Sequence, residues 1–376
     1  MVSAEQMVSG GEDRLFSLDA LRGFDMLFLM GLAGVIAEFA NIVFGVKDSW
    51  LALQMQHVAW DGFRQRDTIF PLFLFVAGVA WPFSFAAQRA KGRILGAIRL
   101  RVLKRAVLLF ALGMVYNGVL AFDMAHFRVG SVLGQIGIAW AAAALLYTVS
   151  GVACRVAVAV SIMVGYAAVL LFVHSPVHPD ASSLSFEGCF THYLNTLLLP
   201  GVSGLADRCE AQGVLSMVSA ISTALIGTLA GDFVRRKDIS SARRSGLLLA
   251  AGVAFTFAAW ALDGILPVNK KLWSPTFVLA AGGYSLILFS VFFWICDVRR
   301  WRAWAFPLRV VGMNSIAIYF LVRIVPVRPV VDFFFGGILS NLPKGAWPNL
   351  FVAAASLAIW WCILLFLYRK KVFFKV

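Results

Sequence analysis

The chain has 376 residues, 61% of them hydrophobic and only 14% charged, yet it carries 33 Lys and Arg against 19 Asp and Glu, a formal net charge of +14. That basic balance points first to nucleic acid, but a nucleic-acid-binding domain this apolar has no means of staying in solution. With 32 Gly and 12 Pro, collagen-like repeats and disorder are excluded as well. What fits is a polytopic membrane protein, an all-α bundle whose basic residues collect in the connections on one side.

A spanning helix needs about 20 mostly apolar residues. On that ruler the sequence gives ten candidates, near 24–44, 69–88, 102–122, 129–149, 152–173, 212–234, 245–262, 276–296, 306–325 and 346–368. The first is not a signal peptide, because its lead carries Glu5, Glu12, Asp13 and Asp19 and its apolar run is too long. Short apolar pieces near 190–199 and 329–339 are too short to span and read as interfacial or re-entrant helices. No repeat or soluble insertion interrupts the chain, so residues 1–376 read as a single membrane domain with one long outer loop, 175–211.

The charges orient it. The connection after the second span holds Arg89, Lys91, Arg93, Arg99, Arg101, Lys104 and Arg105 with no acid. Those after the sixth and eighth hold Arg235, Arg236, Lys237, Arg243 and Arg244, then Arg299, Arg300, Arg302 and Arg309. The chain closes on Arg369, Lys370, Lys371 and Lys375. With both termini cytoplasmic, all of these lie inside. The long outer loop is acidic by contrast, with Asp180, Glu187, Asp207 and Glu210 against Arg208. It also holds Cys189 and Cys209, which an oxidising compartment lets pair. Cys154, Cys296 and Cys362 read as buried apolar residues. No Cys/His spacing suits zinc, and no metal is expected.

Polar groups at membrane depth are costly and therefore informative. The densest cluster flanks the first two spans: Ser17-Leu-Asp19-Ala-Leu-Arg22-Gly on the inside, and His57-Val-Ala-Trp60-Asp61-Gly62-Phe63-Arg64-Gln-Arg66-Asp67 on the outside. His57 is the one histidine beside several acids, and an imidazole there can take a proton from an amine or hydroxyl. It needs an acid to fix its tautomer. Asp61 stands one turn away if the segment is helical. Asp67, ten residues on, lies about 15 Å along a straight helix and reaches His57 only if the chain bends, which Gly62 permits. The plainer alternative is an interfacial histidine bonded to a backbone carbonyl.

The blocks Arg14-Leu-x-Ser-Leu-Asp-Ala-Leu-Arg-Gly and His57-x-x-Trp60-x-Gly62-Phe63-x-x-x-Asp67-x-x-Phe70-Pro71 are followed by Arg128-Val-Gly-Ser-Val-Leu-Gly-Gln-Ile-Gly, Pro267-Val-Asn-Lys-Lys-Leu-Trp-Ser-Pro and Gly312-Met-Asn-Ser-Ile-Ala-Ile-Tyr. Their succession, nearly the whole chain in order, resembles the heparan-α-glucosaminide N-acetyltransferase family, and its bacterial members most closely. The resemblance implies an acetyl-CoA-dependent N-acetyltransferase of a bacterial inner membrane. It would carry an acetyl group from cytoplasmic acetyl-CoA to the amine of glucosamine or a related amino sugar on the periplasmic side. It makes His57 the catalytic histidine and ranks Asp67 above Asp61 as its acid. Gln135 departs from the pattern, standing where an Arg is common.

Other residues carry two readings each. Trp60, Asp61, Asn269 and Trp273 are candidates for the acceptor pocket, Trp273 by stacking on a pyranose, or are ordinary interfacial loop residues. Lys270 and Lys271, in the same loop, carry the same two readings. Glu38 can face the same cavity. Asn314 and Ser315 can bond pantetheine amides or merely join helices. Arg101 and Arg105 can hold CoA phosphates, or only orient the protein. Asp232 reads as a solvated cap beside Arg235 and Arg236. The partners expected are the lipid bilayer, acetyl-CoA and an amino sugar, with no nucleic acid. Small-residue faces at Gly31–Gly34 and Gly227–Gly231 permit helix packing, including in a homodimer. The rival reading is a transporter of amino sugars or related solutes with His57 and Glu38 coupling protons, although the paired broken helices of that class are not visible in the sequence.

Overall fold

A computed structural model describes residues 15–122, 128–199 and 212–374. Among them the chain is helical, with one isolated antiparallel bridge between His174 and Cys189. The first span is α1 (Phe16–Leu27), a π turn at Phe28–Leu32 and α2 (Ala33–Phe44). A short α3 (Trp50–Gln54) and a 3-10 turn (Gln65–Thr68) lead into α4 (Ile69–Ala90). Next come α5 (Leu95–Tyr116), α6 (Val132–Tyr147), α7 (Val152–Phe172) and the short α8 (Phe190–Leu198). The second half has α9 (Val214–Arg235), α10 (Ser241–Leu262), α11 (Pro275–Phe293), α12 (Phe306–Gly312), α13 (Ser315–Ile324), α14 (Arg328–Asn341) and α15 (Ala346–Arg369).

Every expected span falls on a helix, and the chain is a multi-pass membrane protein. Among the described residues seven helices are long and apolar enough to cross a bilayer, eight if the pair α12–α13, bent by 63°, is counted as one span. The other two expected spans are helical but fall short of that measure for opposite reasons. Helix α5 has 22 residues, but Arg99, Arg101, Lys104 and Arg105 occupy its first half. Helix α6 is apolar but only 16 residues long. The first span also begins earlier than its apolar run suggests, at Phe16. The reason lies far along the chain: the carboxylate of Asp297 accepts the backbone N–H groups of Phe16 at 3.0 Å and Ser17 at 3.1 Å. Helix starts leave such donors without partners, and an acid there also meets the positive end of the helix dipole.

The core lies between α4, α6, α9 and α11. Phe75 packs edge-on to Phe289, and Trp81 edge-on to Trp140. Helices α4 and α9 approach so closely that a Cβ on Gly78 would collide with the Ala224 carbonyl, and one on Gly227 with that of Phe75. The Gly227–Gly231 face is thus occupied within the chain. Cys154 and Cys362, expected to be buried, are exposed on the outsides of α7 and α15, where apolar side chains meet lipid rather than core. Cys209, the proposed partner of Cys189, lies outside the described residues.

Two breaks interrupt spans that read as continuous in the sequence. Gly31 in the π turn has φ +134°, a conformation that L side chains rarely adopt. The second break, at Met313 and Asn314, separates α12 from α13.

Candidate functional site

Connections that alternate to the same end of the bundle are tied together there. The Trp60 indole donates to the Leu184 carbonyl (2.9 Å), the Gly62 N–H to Val268 (2.8 Å), and the Asn269 amide to Asp61 Oδ1 (3.2 Å). Tyr166 and Ser219 hydroxyls hold the Leu272 and Trp273 carbonyls at 2.6 and 2.7 Å. Segment 56–64 is not helical, and it turns at Gly62, φ +120°. That turn decides between the two acids. Asp61 points to Asn269, while Asp67, in the 3-10 turn at the head of α4, comes back to His57.

His57 Nδ1 lies 2.7 Å from Asp67 Oδ1, and the Val58 N–H donates to Asp67 Oδ2 at 3.3 Å. The Asp67 side chain is 1% exposed and that of His57 54%. A buried carboxylate on Nδ1 fixes the ring and leaves Nε2 as the atom able to take a proton. Lys270 Nζ completes a triangle, 3.1 Å from Asp67 Oδ1 and 3.1 Å from His57 Nδ1. Burial pulls the Lys270 ammonium below the usual lysine range; the Asp67 carboxylate opposes this and Arg66 adds to it.

His57, Arg66 and Lys270 form one end of a pocket of about 190 Å3. Its other walls are mostly apolar: Met26 and Leu29 of the first span, Phe70 and Phe73 of α4, Ile136 of α6, and Ser315 and Tyr319 of α13. The lining, apolar walls with few polar groups, is that of small-molecule sites. Tyr116 and Tyr319, stacked on each other at 4.6 Å, both line it. The bend after Asn314 is what offers Ser315 to this space.

The other sequence candidates fall in different places. Trp273 is sunk in the core, 1% exposed, edge-on to Phe70 and Phe277, with its indole on Thr223. It offers no face to a sugar. Trp60 packs in the small outer cluster against Phe186, with Lys271 5.7 Å over its ring. Asn269 is buried and saturated, accepting the Leu272 N–H as well as binding Asp61. Glu38 bonds Asn41 and is absent from the pocket wall. Asn314 spends its amide on the chain's last turn, donating to the Val372 carbonyl and accepting from the Phe374 N–H, both at 3.1 Å. Arg101 is exposed. The Arg105 guanidinium lies 4.5 Å over the Trp140 ring, and its Nε has no partner among the described residues. Asp232, read as a solvated cap, is instead bonded by Arg155 (2.6 Å) and Tyr147 (2.7 Å) from neighbouring helices.

Lys270, expected at the acceptor pocket, lines the pocket and bonds Asp67; that contact, and Asp25, escape the sequence reading. Asp25 is a buried acid in the first span whose Oδ2 has no partner among the described residues; its signal was available, a lone carboxylate next to Met26 in an apolar run. Among the described residues no group of three His, Cys, Asp or Glu is placed to hold a metal ion.

No family model matches the chain. It is similar to the heparan-alpha-glucosaminide N-acetyltransferase of Homo sapiens, 24% identical over 425 residues, covering 96% of this chain and 60% of that protein. It is likewise similar to the heparan-alpha-glucosaminide N-acetyltransferase of Mus musculus, 24% identical over 437 residues, covering 97% of this chain and 62% of the relative. The chain thus spans about three fifths of the length of the curated relatives it matches. The resemblance carried by the sequence blocks extends along the whole chain.

Proposed function

We propose that this chain is a transmembrane acetyltransferase that moves an acetyl group from cytoplasmic acetyl-CoA to the amine of glucosamine or a related amino sugar on the opposite face. The observation that carries the reading is the 2.7 Å contact of His57 with buried Asp67 on the wall of an apolar pocket. The acceptor amine attacks the thioester carbonyl; a C–N bond forms, the C–S bond breaks, and CoA leaves as the thiolate. The proton lost by the amine passes to His57 Nε2 and from there to the thiolate. Asp67 keeps the imidazole in the tautomer that can accept it. Ser315 lines the path of the acyl arm. Arg105 is suited to a phosphate, with a guanidinium nitrogen still to be satisfied; Arg101 is a weaker candidate, open to solvent. The basic connections support a donor side in the cytoplasm and a His57 end on the opposite face, the periplasmic one in a bacterial membrane.

The test is mass spectrometry of amino sugars after incubation with purified protein and acetyl-CoA. Acetylated glucosamine from the wild type, lost in a folded His57→Ala variant, supports the reading; equal product from both would sink it. The breaks at Gly31 and at Asn314 favour a second reading, a solute transporter, since discontinuous helices mark many transporter sites. Counterflow of labelled glucosamine in vesicles without acetyl-CoA would select it.

A further inference from the structure

The proton transfer described above uses His57 and Asp67 and leaves Lys270 without a part. Lys270 comes from a loop that the Gly62–Val268 and Asn269–Asp61 bonds hold against the His57 segment, and its side chain lies on the pocket wall. Its ammonium shares Asp67 Oδ1 with His57 Nδ1, at 3.1 and 2.7 Å. The other charges nearby are few. Arg66 lines the same pocket and donates to the Met55 carbonyl at 3.0 Å; Arg64 donates to the His57 carbonyl at 3.3 Å. Asp61 is held by Asn269, and Lys271 turns away over Trp60. On the pocket's far walls stand the two tyrosines, Tyr116 and Tyr319.

A buried carboxylate alone against an imidazole favours the imidazolium, and an imidazolium cannot take the proton of an incoming amine. A cation on the same carboxylate oxygen offsets that preference without removing the hydrogen bond that orients the ring. We propose that Lys270 is a positioning residue of this site: by balancing the charge of Asp67, it lets the carboxylate hold Nδ1–H while Nε2 stays bare and able to accept. The proposal rests on the reading of His57 as the proton acceptor in acyl transfer. Nζ stands 3.1 Å from both Asp67 Oδ1 and His57 Nδ1, so its charge acts on the ring as well as on the acid.

The test reads His57 directly, without requiring catalysis. Diethyl pyrocarbonate modifies only the uncharged imidazole, and His57 is open enough to be reached. Modification of the His57 peptide in the full-length protein is followed by mass spectrometry across pH for the wild type, Lys270→Met, Lys270→Gln and Lys270→Arg. In the Met and Gln variants the half-maximal point moves up by about one pH unit, and in the Arg variant it stays with the wild type. Of the two neutral variants, either one that folds suffices. Curves that coincide in wild type and neutral variant overturn the proposal. If the shift appears but the wild type acetylates no amino sugar, the acyl-transfer reading falls and the role of Lys270 toward His57 stands. Where transfer is measured, the acid limb of its pH–rate profile follows the same shift in Lys270→Met.

Discussion

Two carboxylates at opposite ends of the bundle are each held by a cation and a ring. Asp232 takes Arg155 and the Tyr147 hydroxyl, and the guanidinium also reaches Thr228 and stacks 4.4 Å over Tyr147. Asp67 takes His57 and Lys270. In the first group each member's bonding is directed at its helical neighbours, and it ties α6, α7 and α9 together. In the second, His57 keeps a ring nitrogen with no partner among the described residues, and that ring lines a pocket. An ion pair whose members all serve one another is a strut; one whose ring keeps an unbonded nitrogen beside a pocket is what the proposed acyl transfer requires.

Substitutions can break or sharpen that contrast. The largest effect is expected from His57→Ala, a fall of about 10³- to 10⁴-fold in acetyl transfer. Stability should fall by only about 1 kcal/mol, the loss of one hydrogen bond to the buried Asp67 from a half-exposed side chain; thermal unfolding in detergent checks the second half. Asp67→Asn and Asp232→Asn then separate the two ends. The first should slow transfer by about 100-fold through loss of the ring's orientation. The second should lower stability by about 3 kcal/mol, leaving Arg155 buried without its acid, and keep the rate per folded molecule. If Asp232→Asn slowed catalysis as Asp67→Asn does, the contrast would be gone.

Smaller is Asn269→Ala, which unties Asp61 and the Leu272 N–H. It should cost about 1–2 kcal/mol of stability and roughly tenfold in transfer, since the loop presenting Lys270 is loosened. Smallest is Glu38→Gln. Steady-state transfer rates should match the wild type, whereas a proton-coupled transporter using Glu38 would lose proton-driven uptake.

Much of the membrane architecture is legible in the sequence because it depends on local composition: runs of apolar residues set the spans, and basic connections set their alternation. The interruptions are not legible. Apolar character continues through Phe28–Leu32 and across Met313, so hydropathy alone sees unbroken helices where the backbone turns. The pairing of His57 with Asp67 was readable as a condition, a bend at Gly62, which the backbone meets. Lys270 was not, because its approach depends on contacts more than 200 residues apart in the chain. Trp273 was misplaced for the same reason: an aromatic in an outer loop looks exposed until the loop is folded under, and here it is drawn into the core between Phe70 and Phe277.

The capping of the first helix by Asp297 has a consequence in time. Phe16 and Ser17 leave the ribosome early, but the carboxylate that satisfies their N–H groups is encoded 280 residues after Ser17. At about 5–20 residues per second, synthesis takes on the order of 15 to 55 seconds to reach it. During that interval the start of the first span has to rely on water at the membrane surface. The α1 end of the pocket wall therefore acquires its final anchorage only when the eighth expected span has been made, so a chain truncated before Asp297 would hold the His57 segment and α4 but lack the clamp at the foot of α1.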